Sequence, residues 1–347
     1  MQKKGNKYGV HRVIEPKGVL PQPANKVDNN MDEIYDNEIL IDVKTLNIDS
    51  ASFTDIKARA EHKPEKIKEI MFEIVAQQGK HRNPWTGSGG MLLGVVEKIG
   101  DALAGKIDLK VGDKIATLVS LSLTPLRIDK IKEIRAEVDQ VDIDGKAILF
   151  ESGIYAKIPD DMPEKLALSA LDVAGAPAQT AKLVKPGDTV LIIGAGGKSG
   201  MLCCYEAKKR AGVTGKVIGL CHSEKSTKRL QDLNFCDHVF SADATQPVPI
   251  LEKIEELTNG QLVDVTINNV NIPDTEMASV LCTKDTGLVY FFSMATSFTK
   301  AALGAEGVGS DVTMIVGNGY TRGHAEITLQ LLRESEKLRN IFTELYA

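Results

Sequence analysis

The stretch VLIIGAGGKSGMLC, residues 190–203, sets the tightest limit on what this chain folds into. Four apolar residues run into a cluster of glycines and resume as a segment of helical character. Glycine has no Cβ, so it allows both a tight turn and a close approach of backbone to a ligand. A strand that turns through glycine into a helix presents free backbone amides to an anion. The loop Gly194, Ala195, Gly196, Gly197, Lys198, Ser199 and Gly200 is therefore a candidate cradle for a dinucleotide pyrophosphate. Its spacing is complete as G-x-x-G-x-x-G. Read as the commoner G-x-G-x-x-G, the last glycine position holds Ser199.

One glycine pattern is weak evidence, and its surroundings strengthen it. From about residue 163 the chain alternates between the two periodicities. PEKLALSALDVAGAPAQTAKLV reads as helix, DTVLII as strand, SGMLCCYEAKKRAG as helix and GKVIGLCHS as strand. EKSTKRLQDLN and PILEKIEELTNG follow as helices, with HVFSA, VDVTINNV, GLVYFFSM and DVTMIVGNGY as strands. HAEITLQLLRESEKLRNIFTELYA closes as one or two helices. Repeated units of this length predict a parallel sheet covered by helices on both faces. In such a sheet the end of the second strand meets the adenosine ribose. Ser223, Lys225 and Arg229 there suit a 2′-phosphate, and Glu224 suits ribose hydroxyls, so NAD and NADP both stay open. Asn268 and Ser293 close two later strands, on the carboxyl side where ligands sit.

The first 160 residues have another texture. Ile39, Ile41 and Val43 alternate as in a half-buried strand. In KPEKIKEIMFEIVAQQGK, Pro64 opens a helix, Ile67, Ile70, Met71, Ile74 and Val75 repeat at helical spacing, and Gly79 stops it. MLLGVVEKIG and VGDKIATLV read as strand and turn, and Asp144-Gly145 reads as the turn of a hairpin within EIRAEVDQVDIDGKAILF. The division expected is 1–162 mostly β, 163–317 for dinucleotide, and 318–347 returning to the first domain. At 347 residues two domains are the natural size.

A net charge of −5 gives nucleic acid or an anionic membrane no particular attraction. No apolar run approaches the roughly 18 residues of a spanning helix, and the basic N-terminus has no apolar segment behind it, so cytoplasm is expected. Five cysteines without C-x-x-C spacing predict small buried residues rather than disulfides or structural zinc.

The order of these segments, with VGDKI and KPGDTVLIIGAGG, resembles the medium-chain alcohol dehydrogenase superfamily over nearly the whole chain. The resemblance implies a GroES-like catalytic domain, a Rossmann-like doubly wound parallel sheet, an active site in the cleft between them, and a homodimer through the last strand. The GHE-x-x-G of zinc members is matched by GGMLLG, residues 89–94, with Gly90 and Met91 at the ligand positions. Asp49, within NIDSASF, matches the catalytic cysteine, and no four-cysteine lobe exists. Zinc needs three good protein ligands, so no metal is expected. More narrowly, NPWTGSGGMLLG, VTINNVN, IVGNGY and the ending ELYA resemble the L-erythro-3,5-diaminohexanoate dehydrogenase family of anaerobic lysine fermentation. Its members oxidatively deaminate that substrate to 5-amino-3-oxohexanoate.

That chemistry is consistent with a lost metal. An ammonium with a pKa near ~10 needs only a modest base before its lone pair drives hydride to a nicotinamide, and water then releases ammonia from the iminium. Asp49 is the candidate to pair with a substrate ammonium, with Ser50 beside it. His81 and Arg82 are candidates to hold the carboxylate or serve as base, and Trp85 is a pocket wall or a packing residue. The rival readings are a zinc-free quinone or enal reductase of the same superfamily and a dinucleotide-binding regulatory protein without turnover.

Overall fold

The computed structural model describes residues 2–317 and 319–347. Met1, and Asn318 within IVGNGY, lie outside the described residues, and each stands at the edge of an expected domain range. The chain forms two compact units that divide between Leu168 and Ser169. Residues up to Leu345 fall in the second unit and only Tyr346 and Ala347 group with the first. The closing helices thus differ from the expected return of 318–347 to the first domain.

In the first unit β1 (Val13–Glu15) and β2 (Lys26–Val27) make a short antiparallel ribbon. Then come β3 (Glu38–Asn47), α1 (Ser50–Arg59), α2 (Pro64–Gln78), β4 (Met91–Ile99), β5 (Lys114–Thr117), β6 (Leu126–Arg135), β7 (Gln140–Phe150) and β8 (Tyr155–Lys157). The strands build an antiparallel sheet in the order β6-β7-β3-β4-β5-β8. Ile39, Ile41 and Val43 point into one core with Ile67, Met71, Ile74 and Val75 of α2, as their two periodicities require. Pro64 sits in the first turn of α2, and Gly79 ends it at φ 70°.

Asp144 and Gly145 do not form the expected turn; they lie inside β7. The chain reverses at 136–139, with Asp139 at φ 55°. A Cβ on Gly145 would come within 2.3 Å of the Arg127 carbonyl oxygen, and the ladders on both sides shift register nearby. The glycine serves a bulge and a close backbone approach rather than a hairpin tip. Beside β3, buried Arg12 donates from Nε and Nη2 to both oxygens of buried Glu38, at 2.9 and 2.7 Å. Burial alone would raise the Glu38 pKa, but bonds from Arg12, His11 and the Tyr35 amide hold it at about 2.

The helical stretch at the start of the second unit breaks into α3 (Glu164–Leu171), which crosses the unit boundary, and α4 (Gly175–Leu183). Next are β9 (Thr189–Ile193), α5 (Lys198–Ala211), β10 (Lys216–Cys221), α6 (Glu224–Leu233), β11 (His238–Ser241), α7 (Pro247–Thr258) and β12 (Val263–Asn268). The chain ends through α8 (Glu276–Cys282), β13 (Thr283–Phe291), α9 (Phe298–Val308), β14 (Thr313–Val316), α10 (His324–Glu334) and α11 (Glu336–Tyr346). All strands run parallel in the order β11-β10-β9-β12-β13-β14. This is the doubly wound order, with its switch point between β9 and β12. Leu191, Ile193, Ile218 and Leu220 pack on Ile250 and Ile254 of α7 and Ala278 of α8. Val190, Ile192 and Val217 alternate with them and are equally buried, so the sheet is covered on both faces. All five cysteines are free, four of them buried and Cys236 half-buried. Among the described residues no helix is long and apolar enough to cross a membrane.

Candidate functional site

β9 ends at Ile193 and the chain turns at Gly194, whose φ of 80° lies in the left-handed region. The amides of Gly194 and Ala195 both donate to Leu220 O, at 3.0 and 2.9 Å, which fastens the loop to the end of β10. Gly197 N returns to Gly194 O at 3.1 Å. Gly200 lies so close that a Cβ would stand 2.1 Å from Gly194 O and 2.7 Å from Ala195 Cα. A Cβ on Gly196 would meet Ser226 Cβ of α6 at 2.7 Å. Gly197 caps α5 with no side chain, so no N-cap side chain stands over the first-turn amides, which lie beyond the reach of intrahelical carbonyls. Beside this cradle Ile193, Leu220, Cys221, Ala242, Ala244 and Val270 line a mostly apolar cavity of about 280 Å³. It opens at the switch point, where α/β sheets bind ligands. An apolar slot next to a helix N-terminus fits a planar base joined to a diphosphate.

The remaining candidates of this unit take varied positions. Ser223 caps α6 in a reciprocal box with Ser226, so its hydroxyl serves the helix. Lys225 is exposed beside Glu224. Arg229 Nη1 donates to Gly196 O at 3.2 Å, tying α6 to the glycine loop. Asn268 departs from the expected cofactor contact. It is fully buried, and its Nδ2 donates to Thr275 Oγ1 at 2.9 Å and Ser279 Oγ at 3.0 Å. Its Oδ1 accepts from Val270 N at 3.0 Å, so the side chain fixes the turn after β12. Ser293 accepts from Ala295 N and donates to Asn271 Oδ1, organising the turn after β13.

In the first unit, Asp49 is the N-cap of α1, and its Oδ1 accepts from Ser52 N at 3.0 Å. Its Oδ2 is buried without a hydrogen-bond partner among the described residues, an arrangement that costs free energy until a donor arrives. Gly90 lies directly against this cap, since a Cβ there would stand 2.1 Å from Asn47 O and 2.8 Å from Asp49 N. The two motifs NIDSASF and GGMLLG are therefore neighbours. Ser50 donates to Asp139 Oδ2 at 2.7 Å, joining α1 to the turn before β7. Around the cap, Ser52 Oγ shares hydrogen bonds with Thr86 Oγ1 at 2.5 Å and Ser88 Oγ at 2.8 Å. Asn83 Nδ2 donates to Ser52 O at 3.1 Å and Asp55 Oδ2 at 3.2 Å, pinning the loop 83–90 to α1.

His81 is a correction. It is fully buried, and desolvation pushes its pKa down to about 4, so the ring is neutral at physiological pH. A neutral imidazole without solvent access is no anchor for a carboxylate. Arg82 is half-buried next to it, and Trp85 is half-exposed with the Arg59 guanidinium 3.5 Å from its ring centroid. Among the described residues no group of three or more His, Cys, Asp or Glu is placed to hold a metal ion.

Sequence reasoning missed Asp172, Ser52 and Asn83. Asp172 Oδ2 is 3.1 Å from Lys198 Nζ. Its one local signal is a carboxylate in the middle of an apolar helical stretch. Ser52 and Asn83 carry the two-sided S/N chemistry of caps and turns, which does not reveal partners distant in sequence.

Comparison with known proteins agrees with this architecture. Residues 11–159 match the family model described as the L-erythro-3,5-diaminohexanoate dehydrogenase N-terminal domain. L-erythro-3,5-diaminohexanoate dehydrogenase of Acetoanaerobium sticklandii is 66% identical over 343 residues, 99% of each chain. The enzyme of that name from Fusobacterium nucleatum subsp. nucleatum is 65% identical over 344 residues, again 99% of each. Among solved structures, Escherichia coli quinone oxidoreductase complexed with NADPH aligns with a TM-score of 0.50 at 18% identity, covering 89% of this chain and 81% of its own. That likeness speaks for the fold alone.

Proposed function

The chain belongs to the L-erythro-3,5-diaminohexanoate dehydrogenase family, and we propose that it oxidatively deaminates L-erythro-3,5-diaminohexanoate to 5-amino-3-oxohexanoate. The observation that carries this is identity of 66% over 99% of both chains, in which the glycine cradle and the Asp49–Gly90 pairing sit inside the matched region. Bound at the cradle, a nicotinamide dinucleotide would supply the acceptor for the hydride that leaves C3 of the substrate. The glycine loop and the first-turn amides of α5 would hold its pyrophosphate, and the apolar slot would take its adenine. Asp49, fixed through Oδ1, presents Oδ2 to a substrate ammonium and relays its proton. With the C3 nitrogen unprotonated, its lone pair forms the C=N bond as the C–H bond breaks. Water then adds at C3 and ammonia leaves, so one water is consumed and one ammonia formed per two electrons transferred. No step requires a metal.

The preferred dinucleotide is NAD. Exposed Glu224 stands at the first position of α6, the Ser223 hydroxyl is engaged in its capping box, and Arg229 donates to the loop. A 2′-phosphate would meet a carboxylate there, with Lys225 as the exposed cation of the candidate set. Steady-state rates with NAD+ and NADP+ at saturating diamino acid test this. A kcat/KM at least about tenfold higher for NAD+ is expected, and a preference for NADP+ refutes it. Quinone or enal reduction and a purely regulatory role are the less favoured readings, since both close full-length relatives carry the dehydrogenase name.

The protein assembles as a homodimer along β14. Among the described residues that strand pairs only with β13, and Val316, Met294, Phe298 and Leu303 nearby are 62–86% exposed. An unpaired edge flanked by exposed apolar side chains is a site for strand addition from a second copy. Sedimentation of the full chain showing a monomer at micromolar concentration would contradict this.

A further inference from the structure

α5 opens on a residue that a helix N-terminus does not favour. The N-terminus of a helix carries the positive end of the backbone dipole and favours carboxylates. Yet α5 has no acidic residue in its first turn and begins with Lys198. This lysine is also the one side-chain cation within residues 194–200. It is no solvated ornament, because its side chain is 23% exposed and its Nζ lies 3.1 Å from Asp172 Oδ2, itself 20% exposed. Asp172 stands in the short turn between α3 and α4, and α4 packs on α5. Each residue alone is ill placed. The lysine opposes the helix dipole, and the aspartate brings negative charge towards an anion site. Violations of local preference that come in compensating pairs are a mark of functional placement.

A lysine ammonium on its four-carbon stem is a mobile point charge. A carboxylate fixed in a turn restricts it to one direction. We propose that Asp172 is a positioning residue: it holds the Lys198 ammonium beside the first-turn amides of α5, so that its charge adds to theirs on the dinucleotide pyrophosphate. The proposal rests on the reading that the glycine loop binds a nicotinamide dinucleotide, and it adds a role for a residue outside that loop. The pair then resolves the conflict in α5. The cation that weakens the empty helix strengthens the complex, and Asp172 keeps it in place in between.

The test is NAD+ affinity of the full chain by titration calorimetry, together with KM and kcat, for Lys198→Met, Asp172→Asn, Asp172→Glu and the Lys198→Met/Asp172→Asn pair. A charge-assisted contact of ordinary strength predicts a roughly tenfold rise in Kd for Lys198→Met. Asp172→Asn is expected to raise Kd about three- to fivefold with kcat changed less than about twofold, and Asp172→Glu to recover most of the loss. In the Lys198→Met background Asp172→Asn is expected to change nothing further, because the carboxylate acts only through the lysine. A merely structural aspartate would show the same loss in both backgrounds, which overturns the proposal. Tighter NAD+ binding in Asp172→Asn overturns it too, since the carboxylate would then be only a repelling charge. Parent protein that binds neither NAD+ nor NADP+ removes the dinucleotide site itself, whereas normal parent binding with four unchanged variants removes this inference alone.

Discussion

Replacing Gly200 by alanine isolates what the glycine loop does for the fold. In an ordinary helix this change stabilises by about 1 kcal/mol, because alanine loses less backbone entropy. Here the new Cβ would stand 2.1 Å from Gly194 O and 2.7 Å from Ala195 Cα. Both are backbone atoms, so relief requires α5 and the loop to separate by about 1 Å. Overpacking of this kind costs up to about 3 kcal/mol. The net expectation is destabilisation of about 2 kcal/mol, with the sign opposite to the propensity rule. For a unit of this size that lowers the thermal midpoint by about 4–8 °C. Gly197→Ala is the control: its φ is −86° and its nearest obstacle, Gly194 O, lies at 3.4 Å, an ordinary contact. It should lose only roughly 0.5 kcal/mol of N-cap preference. Urea and thermal unfolding of both variants make the comparison, with KM for NAD+ followed in parallel and expected to rise about tenfold or more in Gly200→Ala. A Gly200→Ala protein as stable as the parent would refute the reasoning about helix and loop contact.

Asp49→Asn keeps the cap acceptor but loses the charge, so turnover should fall at least about a hundredfold while NAD+ affinity stays unchanged; unaltered kcat takes Asp49 out of the mechanism. EDTA should leave the rate unchanged, and inhibition reversed by added metal would contradict the metal-free chemistry. Glu38→Gln should destabilise by about 3–5 kcal/mol at neutral pH, because it leaves the buried Arg12 guanidinium without its carboxylate. The Glu38 pKa is depressed in the folded state, so its contribution is complete above about pH 4.5, the ordinary value, and is lost as pH falls through about 2. Unfolding measured from pH 7 down to 2 should show parent and variant converging, and a constant gap would refute the assignment.

Much of this fold is readable because its signals are local. The strand, glycine turn and helix at 190–203 follow from periodicity and from glycine, and the Pro64 to Gly79 helix follows from its two ends. The failures have a common cause. Asp144-Gly145 has hairpin chemistry, but the pairing of β7 with β3 and β6 buries it mid-strand, and a single sequence does not show which backbone lies opposite. α1, α8 and α9 escape notice because they are short or weakly patterned and draw stability from packing. Gly194 to Gly197 form the turn between β9 and α5 and Gly200 lies in the first turn of α5, the strand-turn-helix their spacing predicts. The polar candidates are harder, because a serine, asparagine or histidine serves a cap, a turn or a core as readily as a ligand. Ser223, Asn268 and His81 went to those internal duties. Asp172 gains meaning only when α4 packs on α5.

The most direct measurement follows nicotinamide reduction and ammonia release together, using the purified protein with L-erythro-3,5-diaminohexanoate and NAD+. Reduction dependent on the diamino acid, with one ammonia released per NADH formed, is the predicted result. Reduction without ammonia, or no turnover of the diamino acid by a protein that binds NAD+, would contradict the account.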